Sequence, residues 1–147
     1  MLAIWRSHAE YQLFLINNLL SLYTQSKTSL NFYSEALSKL YILDSDVIKP
    51  LIQPCFSNTG NPSNQHPEIF RSFILMSELG YHSIPNWIAF FRATPILCYA
   101  IGVSPDDVPD VGSYYDFINM KKIFYSIRNT NELLCNFNKS IHFKIFI

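Results

Sequence analysis

The stretch "HPEIFRSFILMSELGYHSIPNWIAFFRATPILCYAIG", His66 to Gly102, decides the fold class. Pro67 suits a first helical turn, where its missing N–H costs nothing, and Gly80 suits a helix stop. Between them Ile69, Phe70, Phe73, Ile74, Met76 and Leu79 take up most of the circumference and leave a narrow polar strip holding Arg71 and Glu78. A helix apolar on nearly every side belongs at the centre of its domain. A second helix is expected after Ser83 and up to Arg92, with Trp87 and Phe91 one turn apart and Ile84 and Ile88 beside them. Thr94 as N-cap and Pro95 at the first position open a third, "ILCYAI", which stops at Gly102. Such stripes are core rather than a cofactor site. The expected fold is all-α: a compact bundle of about five to seven short helices with no significant sheet.

Composition agrees. The chain has 147 residues, 49% hydrophobic and 16% aromatic, with only four glycines, so it carries the apolar material for one domain and too few turn residues for a β-sandwich. Upstream, Leu15, Leu19 and Leu22 share a face of a helix expected over about 10–23, and Tyr33, Leu37 and Leu40 do so over about 30–41. "LDSDVIKP" reads as a short helix capped by Asp44 or Ser45. The segment "PCFSNTGNPSNQHP", Pro54 to Pro67, has three prolines, a glycine and no apolar period, as a hinge or an ordered loop would. Three regions follow: N-terminal helices with a Pro/Asn/Ser-rich linker over 1–65, a helical unit over 66–128, and an atypical tail over 129–147.

Net charge is zero but unevenly spread. Residues 1–65 hold four basic and four acidic side chains; 66–118 hold two and six, a net of −4; 119–147 hold five and one, a net of +4. Attraction to phosphate would therefore come mainly from the last stretch. Cys55, Cys98 and Cys135 are far apart and lack metal-ligand spacing, as buried thiols in a reducing compartment would be. His8, His66, His82 and His142 have no spacing partner. No membrane span is expected, since "LFLINNLLSLY" is short and is split by Asn17 and Asn18, and no cleavage signal follows it. A cytoplasmic protein is expected.

"SPDDVPDVGSYYDF", Ser104 to Phe117, contains D-D-x-x-D at Asp106, Asp107 and Asp110. That spacing holds magnesium only when the acids lie one turn apart on one helix face. Pro105 and Pro109 bracket the pair, and a proline inside a helix costs about 3 kcal/mol, so the acids fit a short turn followed by a loop. Ser113 and Asp116 then read as a capping box for a helix starting at Tyr114. No metal, cofactor or catalytic group is expected.

Taken in order, "G-x-x-S-I-x-x-W" (Gly80 to Trp87), "R-x-x-P-x-L-x-x-x-x-G" (Arg92 to Gly102) and "P-x-D-x-P-x-V-G-S-x-Y-D-F" (Pro105 to Phe117) resemble the N-terminal region of bacterial insertion-sequence transposases of the InsH-like class. The likeness spans about residues 40–119, with Leu43 to Phe56 similar to the family's lead-in, and "VPDVGSYYDF" is its most specific part. The family shows a basic residue soon after its "Y-D-F-I-N", and Lys121 and Lys122 match that place only approximately. The resemblance implies a later RNase H-like catalytic domain in which two aspartates and a glutamate hold divalent metals. No residue of this chain corresponds to those acids, so it is not expected to be an enzyme. From Asn129 on, twelve of nineteen residues are Asn, Lys, Ile or Phe, which resembles arbitrary translation of an AT-rich frame after a truncation. Its "IHFKIFI" end is β-prone and an aggregation liability if exposed.

By that resemblance the chain is a DNA-binding and assembly module for transposition, its partner the element's terminal repeats. Its candidate phosphate contacts are Arg71, Arg92, Lys121, Lys122 and Arg128. Two alternatives stand beside it. One is an interaction fragment that pairs with itself or with intact transposase and inhibits it, through the apolar face of the 67–80 helix; the other is an inactive relic.

Overall fold

The computed structural model describes residues 5–25, 27–55 and 65–128, with the side chains of 25, 27–29, 51, 55 and 120–128 left aside. The expected atypical tail, 129–147, and the centre of the 54–67 segment lie outside the described residues. Every described element is helical: α1 His8–Gln25, α2 Lys27–Phe32, α3 Ser34–Ile42, α4 Lys49–Ile52, α5 His66–Glu78, α6 Ile84–Arg92, α7 Pro95–Ile101 and α8 Val111–Arg128. Short 3-10 turns cover Ser45–Ile48, Gln53–Cys55 and Pro105–Asp107. No strand occurs among the described residues. No helix among them is long and apolar enough to cross a membrane.

Local chemistry sets the ends. Gly80 has φ 72°, and behind it the Tyr81 N–H reaches Met76 O at 2.9 Å while the Gly80 N–H reaches Ser77 O at 3.2 Å. This paired 6→1 and 5→2 closure recurs at α7, where Gly102 has φ 106° and Val103 N and Gly102 N each lie 3.1 Å from Cys98 O and Tyr99 O respectively. Both glycines are the stops the sequence predicts. The Asp44 carboxylate caps the first 3-10 turn by accepting from Asp46 N at 2.8 Å. The segment expected as one helix over 30–41 is instead α2 and α3, parted at Tyr33.

α5 is central, as expected: Ile69, Leu75, Phe70 and Met76 are all buried. α7 and α8 pack against it, α6 packs against both of those, and α1 lies along α7. One cluster joins Tyr11 and Leu15 of α1 and Leu40 of α3 to Ile69, Trp87, Phe91, Leu97 and Tyr114 downstream. The regions 1–65 and 66–128 therefore share a single core. The apolar face of α5 is spent inside it, so that face is not open to a partner. Trp87 and Phe91 meet as expected, their ring centroids 5.4 Å apart.

Candidate nucleic-acid interface

Arg71 sits on the central helix α5 and is 0% exposed. Its guanidinium lies 3.6 Å from the centroid of the Tyr11 ring. It donates to Ser45 Oγ at 2.5 Å and to Ile101 O at 3.2 Å, with Glu68 Oε1 4.0 Å away. Burial lowers its pKa, while Tyr11 and Glu68 oppose that; an arginine stays charged regardless. The Tyr11 hydroxyl donates to Ala100 O at 2.6 Å, and Arg6 donates to Gly102 O. Three side chains from α5 and the α1 region thus satisfy three successive carbonyls where α7 ends. Two of them are cations, placed at the negative end of that helix.

This corrects the expected role of Arg71. Its charge is used internally, and no phosphate can reach a side chain with no exposed surface. Nor does it pair with Glu78, which binds Lys39 at 2.7 Å instead. The sequence signal for this role is slight: one arginine in an otherwise apolar helix. The carbonyl it serves lies thirty residues downstream.

Arg92 stands exposed at the last turn of α6. Its charge acts on Asp110, whose pKa is lowered first by the hydrogen bond from the Ser113 backbone and least by Arg92. Lys121, Lys122 and Arg128 lie on the last turns of α8, where backbone register puts Lys121 and Arg128 two turns apart. Their side chains lie outside the described residues. Of the five candidate cations, Arg92 is therefore exposed, Arg71 is enclosed, and three share α8.

The acidic stretch divides as its prolines demand. Asp106 and Asp107 are exposed in the 3-10 turn. Asp110 Oδ1 accepts from Ser113 N at 2.7 Å and so caps α8, which starts at Val111. The expected Ser113/Asp116 box and Tyr114 start are thereby corrected. An equally good D-x-x-S cap lies three residues earlier, and the first turn forms there. Among the described residues no group of three or more His, Cys, Asp or Glu is placed to hold a metal. Cys98 is a buried free thiol whose pKa burial pushes up to about 11.

The two ends of the 80–117 region meet inside. Trp87 Nε1 donates to Ser72 Oγ at 2.9 Å, and the Ser72 and Tyr114 hydroxyls share a hydrogen bond of 2.5 Å. All three residues are fully buried, and burial pushes the Tyr114 pKa up to about 12 against the pull of those bonds. Buried hydroxyl and indole groups need such partners, and these three supply one another.

Compared with protein-family models, curated proteins and solved structures, the chain matches none of them.

Proposed function

We propose that the chain is an N-terminal helical module of an InsH-like insertion-sequence transposase, taking part in recognition and assembly of element ends. In this reading it works in the cytoplasm on the element's terminal repeats. What supports it is the buried link Trp87–Ser72–Tyr114. Trp87 closes the "G-x-x-S-I-x-x-W" segment, and Tyr114 stands at the unspecified position of the "V-G-S-x-Y-D-F" segment, so the link joins two of the three segments whose ordered series carries the resemblance. The two segments pack into one folded unit, and Gly80 and Gly102 take the left-handed conformation at its helix ends.

Phosphate contact, on this reading, falls to Arg92 and the basic end of α8. So few cations give modest, strongly salt-dependent affinity that positions DNA without reading its bases.

Fluorescence anisotropy of the full chain on a labelled terminal repeat, over a salt series and against a scrambled duplex, tests it. The expected result is tighter binding to the repeat and a finite salt slope, with Arg92→Gln reducing that slope by about 1. Equal or absent binding to both duplexes withdraws the DNA role.

A further inference from the structure

The chain reaches α1 through Trp5, Arg6 and Ser7, which are half-buried and belong to no helix. Polar contacts hold them. Trp5 Nε1 donates to Asp46 Oδ1 at 2.6 Å, the backbone N–H of His8 donates to Asp46 Oδ2 at 2.9 Å, and Arg6 donates to Gly102 O. One carboxylate on the Ser45–Ile48 turn thus takes a donor on each oxygen. One donor comes from the leading segment and the other from the first residue of α1.

The two donors are held with different firmness. α1 has its own supports: Glu10 Oε2 accepts from Ser7 N and Ser7 Oγ, both at 2.8 Å, and Tyr11 and Leu15 are buried in the core. The His8 N–H is therefore fixed by its helix. Trp5 has the indole bond and the Lys49 ammonium, 5.8 Å from its ring centroid. A protonated carboxyl keeps one accepting oxygen and gains an O–H donor. With His8 N–H fixed on Oδ2, the proton falls on Oδ1 and turns a donor towards the Trp5 donor.

Charge acts in the same direction. Arg6 and Arg71 crowd one glycine: a Cβ on Gly102 would lie 3.4 Å from Arg6 Nη1 and 3.5 Å from Arg71 Nη1. Arg6 opposes the charge of Arg71, and Glu68 and Asp46 support it. Arg71 is tied to Ser45 and Ile101, so once Asp46 is neutral Arg6 is the freer of two repelling cations. The remaining charged or titratable neighbours of Asp46 are the His8 ring and Glu10. We propose that Trp5 and Arg6 form a strap latched by the Asp46 carboxylate, closed while it is charged and opened by its protonation, with α1 and the rest of the bundle still folded. Few, half-exposed, polar contacts mark a segment that opens ahead of its domain. The inference is independent of the DNA-end reading, because it uses none of the cations or motifs on which that reading rests.

The chain has two tryptophans, one on the strap and one in the core, where Trp87 Nε1 donates to Ser72. Their indole N–H signals in the full chain, followed by NMR from about pH 7 to about pH 3, test the proposal. The expected result is a one-step titration of the Trp5 signal, with loss of its protection from solvent exchange, while the Trp87 signal holds. At neutral pH, Asp46→Asn gives Trp5 its acid position and speeds its exchange about tenfold or more, and Trp87 is again unchanged. His8→Gln keeps the parent titration, because Asp46 uses the His8 backbone. Trp5 and Trp87 signals that change together, in the titration or in Asp46→Asn, overturn the proposal by making Asp46 a support of the whole fold. A Trp5 signal indifferent to Asp46→Asn overturns it too, as does a titration that vanishes in His8→Gln.

Discussion

The Arg71 guanidinium donates to the Ile101 carbonyl at 3.2 Å and so closes the end of a helix thirty residues away. The bond is one of three: Arg6 and Tyr11 take the carbonyls of Gly102 and Ala100. A cation that reads as a DNA contact on paper is thus part of the framework. Replacing it by methionine keeps the volume but strands Ser45, Ile101 and Glu68. We expect a loss of about 3 kcal/mol, the scale for removing one partner of a buried charge, read by urea unfolding. Lysine should recover little, since an ammonium lacks the planar fork that reaches Ser45 and Ile101 together. Loss of less than half that amount would mean that water replaces the guanidinium.

The Ser72 hydroxyl serves two buried neighbours, the Trp87 indole and the Tyr114 hydroxyl. Ser72→Ala removes the hydroxyl that both the Trp87 N–H and the Tyr114 hydroxyl bind, whereas Tyr114→Phe leaves Ser72 still accepting from Trp87. The expected costs are about 2 and about 1 kcal/mol, in that order, by urea or thermal unfolding. A reversed order would show that the hydroxyl pair, rather than the indole bond, carries the network.

Asp110, and neither Ser113 nor Asp116, caps α8 through its side chain. Asp110→Ala should therefore cost about 1 kcal/mol in thermal unfolding, while Asp116→Ala should change stability by less than about 0.5 kcal/mol. Equal losses would restore the capping box at the later position.

His66 is buried and its ring stacks on Phe117 at a centroid distance of 6.0 Å. Burial pushes its pKa down to about 4 from 6.5. Between those values the unfolded chain binds the proton and the folded chain does not, so stability falls as pH drops from about 6.5 to about 4. Asp46, held below the usual carboxylate range by bonds from the His8 backbone and Trp5 that outweigh its desolvation, adds its own loss at lower pH. Urea midpoints across this range should slope less in His66→Phe, which keeps the stacking and loses the proton. An unchanged slope would place the titration elsewhere.

Much of the fold was legible because its signals are local. Pro67, Gly80, Pro95 and Gly102 announce helix ends by backbone chemistry alone, and the apolar circumference of the 67–79 segment announces a central helix. The role of Arg71 was not legible, because its partners are set by how α1 and α7 cross α5, which no spacing within α5 encodes. The break at Tyr33 was hidden for the opposite reason: Tyr33, Leu37 and Leu40 keep helical spacing across it. Asp110 was overlooked because two overlapping capping patterns share Ser113, and the sequence ranks neither first. The division at residue 65 rested on composition, which marks a linker but says nothing of whether the pieces on either side share a core.

The convergence of Arg6, Tyr11 and Arg71 on residues 100–102 also bears on how the chain can be inherited. A gene rearrangement that kept α5 to α8 and discarded α1 would carry every motif of the 80–117 region and still produce a wounded protein. The end of α7 would lose two of its three donors, and the groove beside Gly102 that Tyr11 fills would open. Searches for working descendants, and attempts to trim the chain for the bench, should therefore keep Arg6 and α1 as part of the smallest heritable piece.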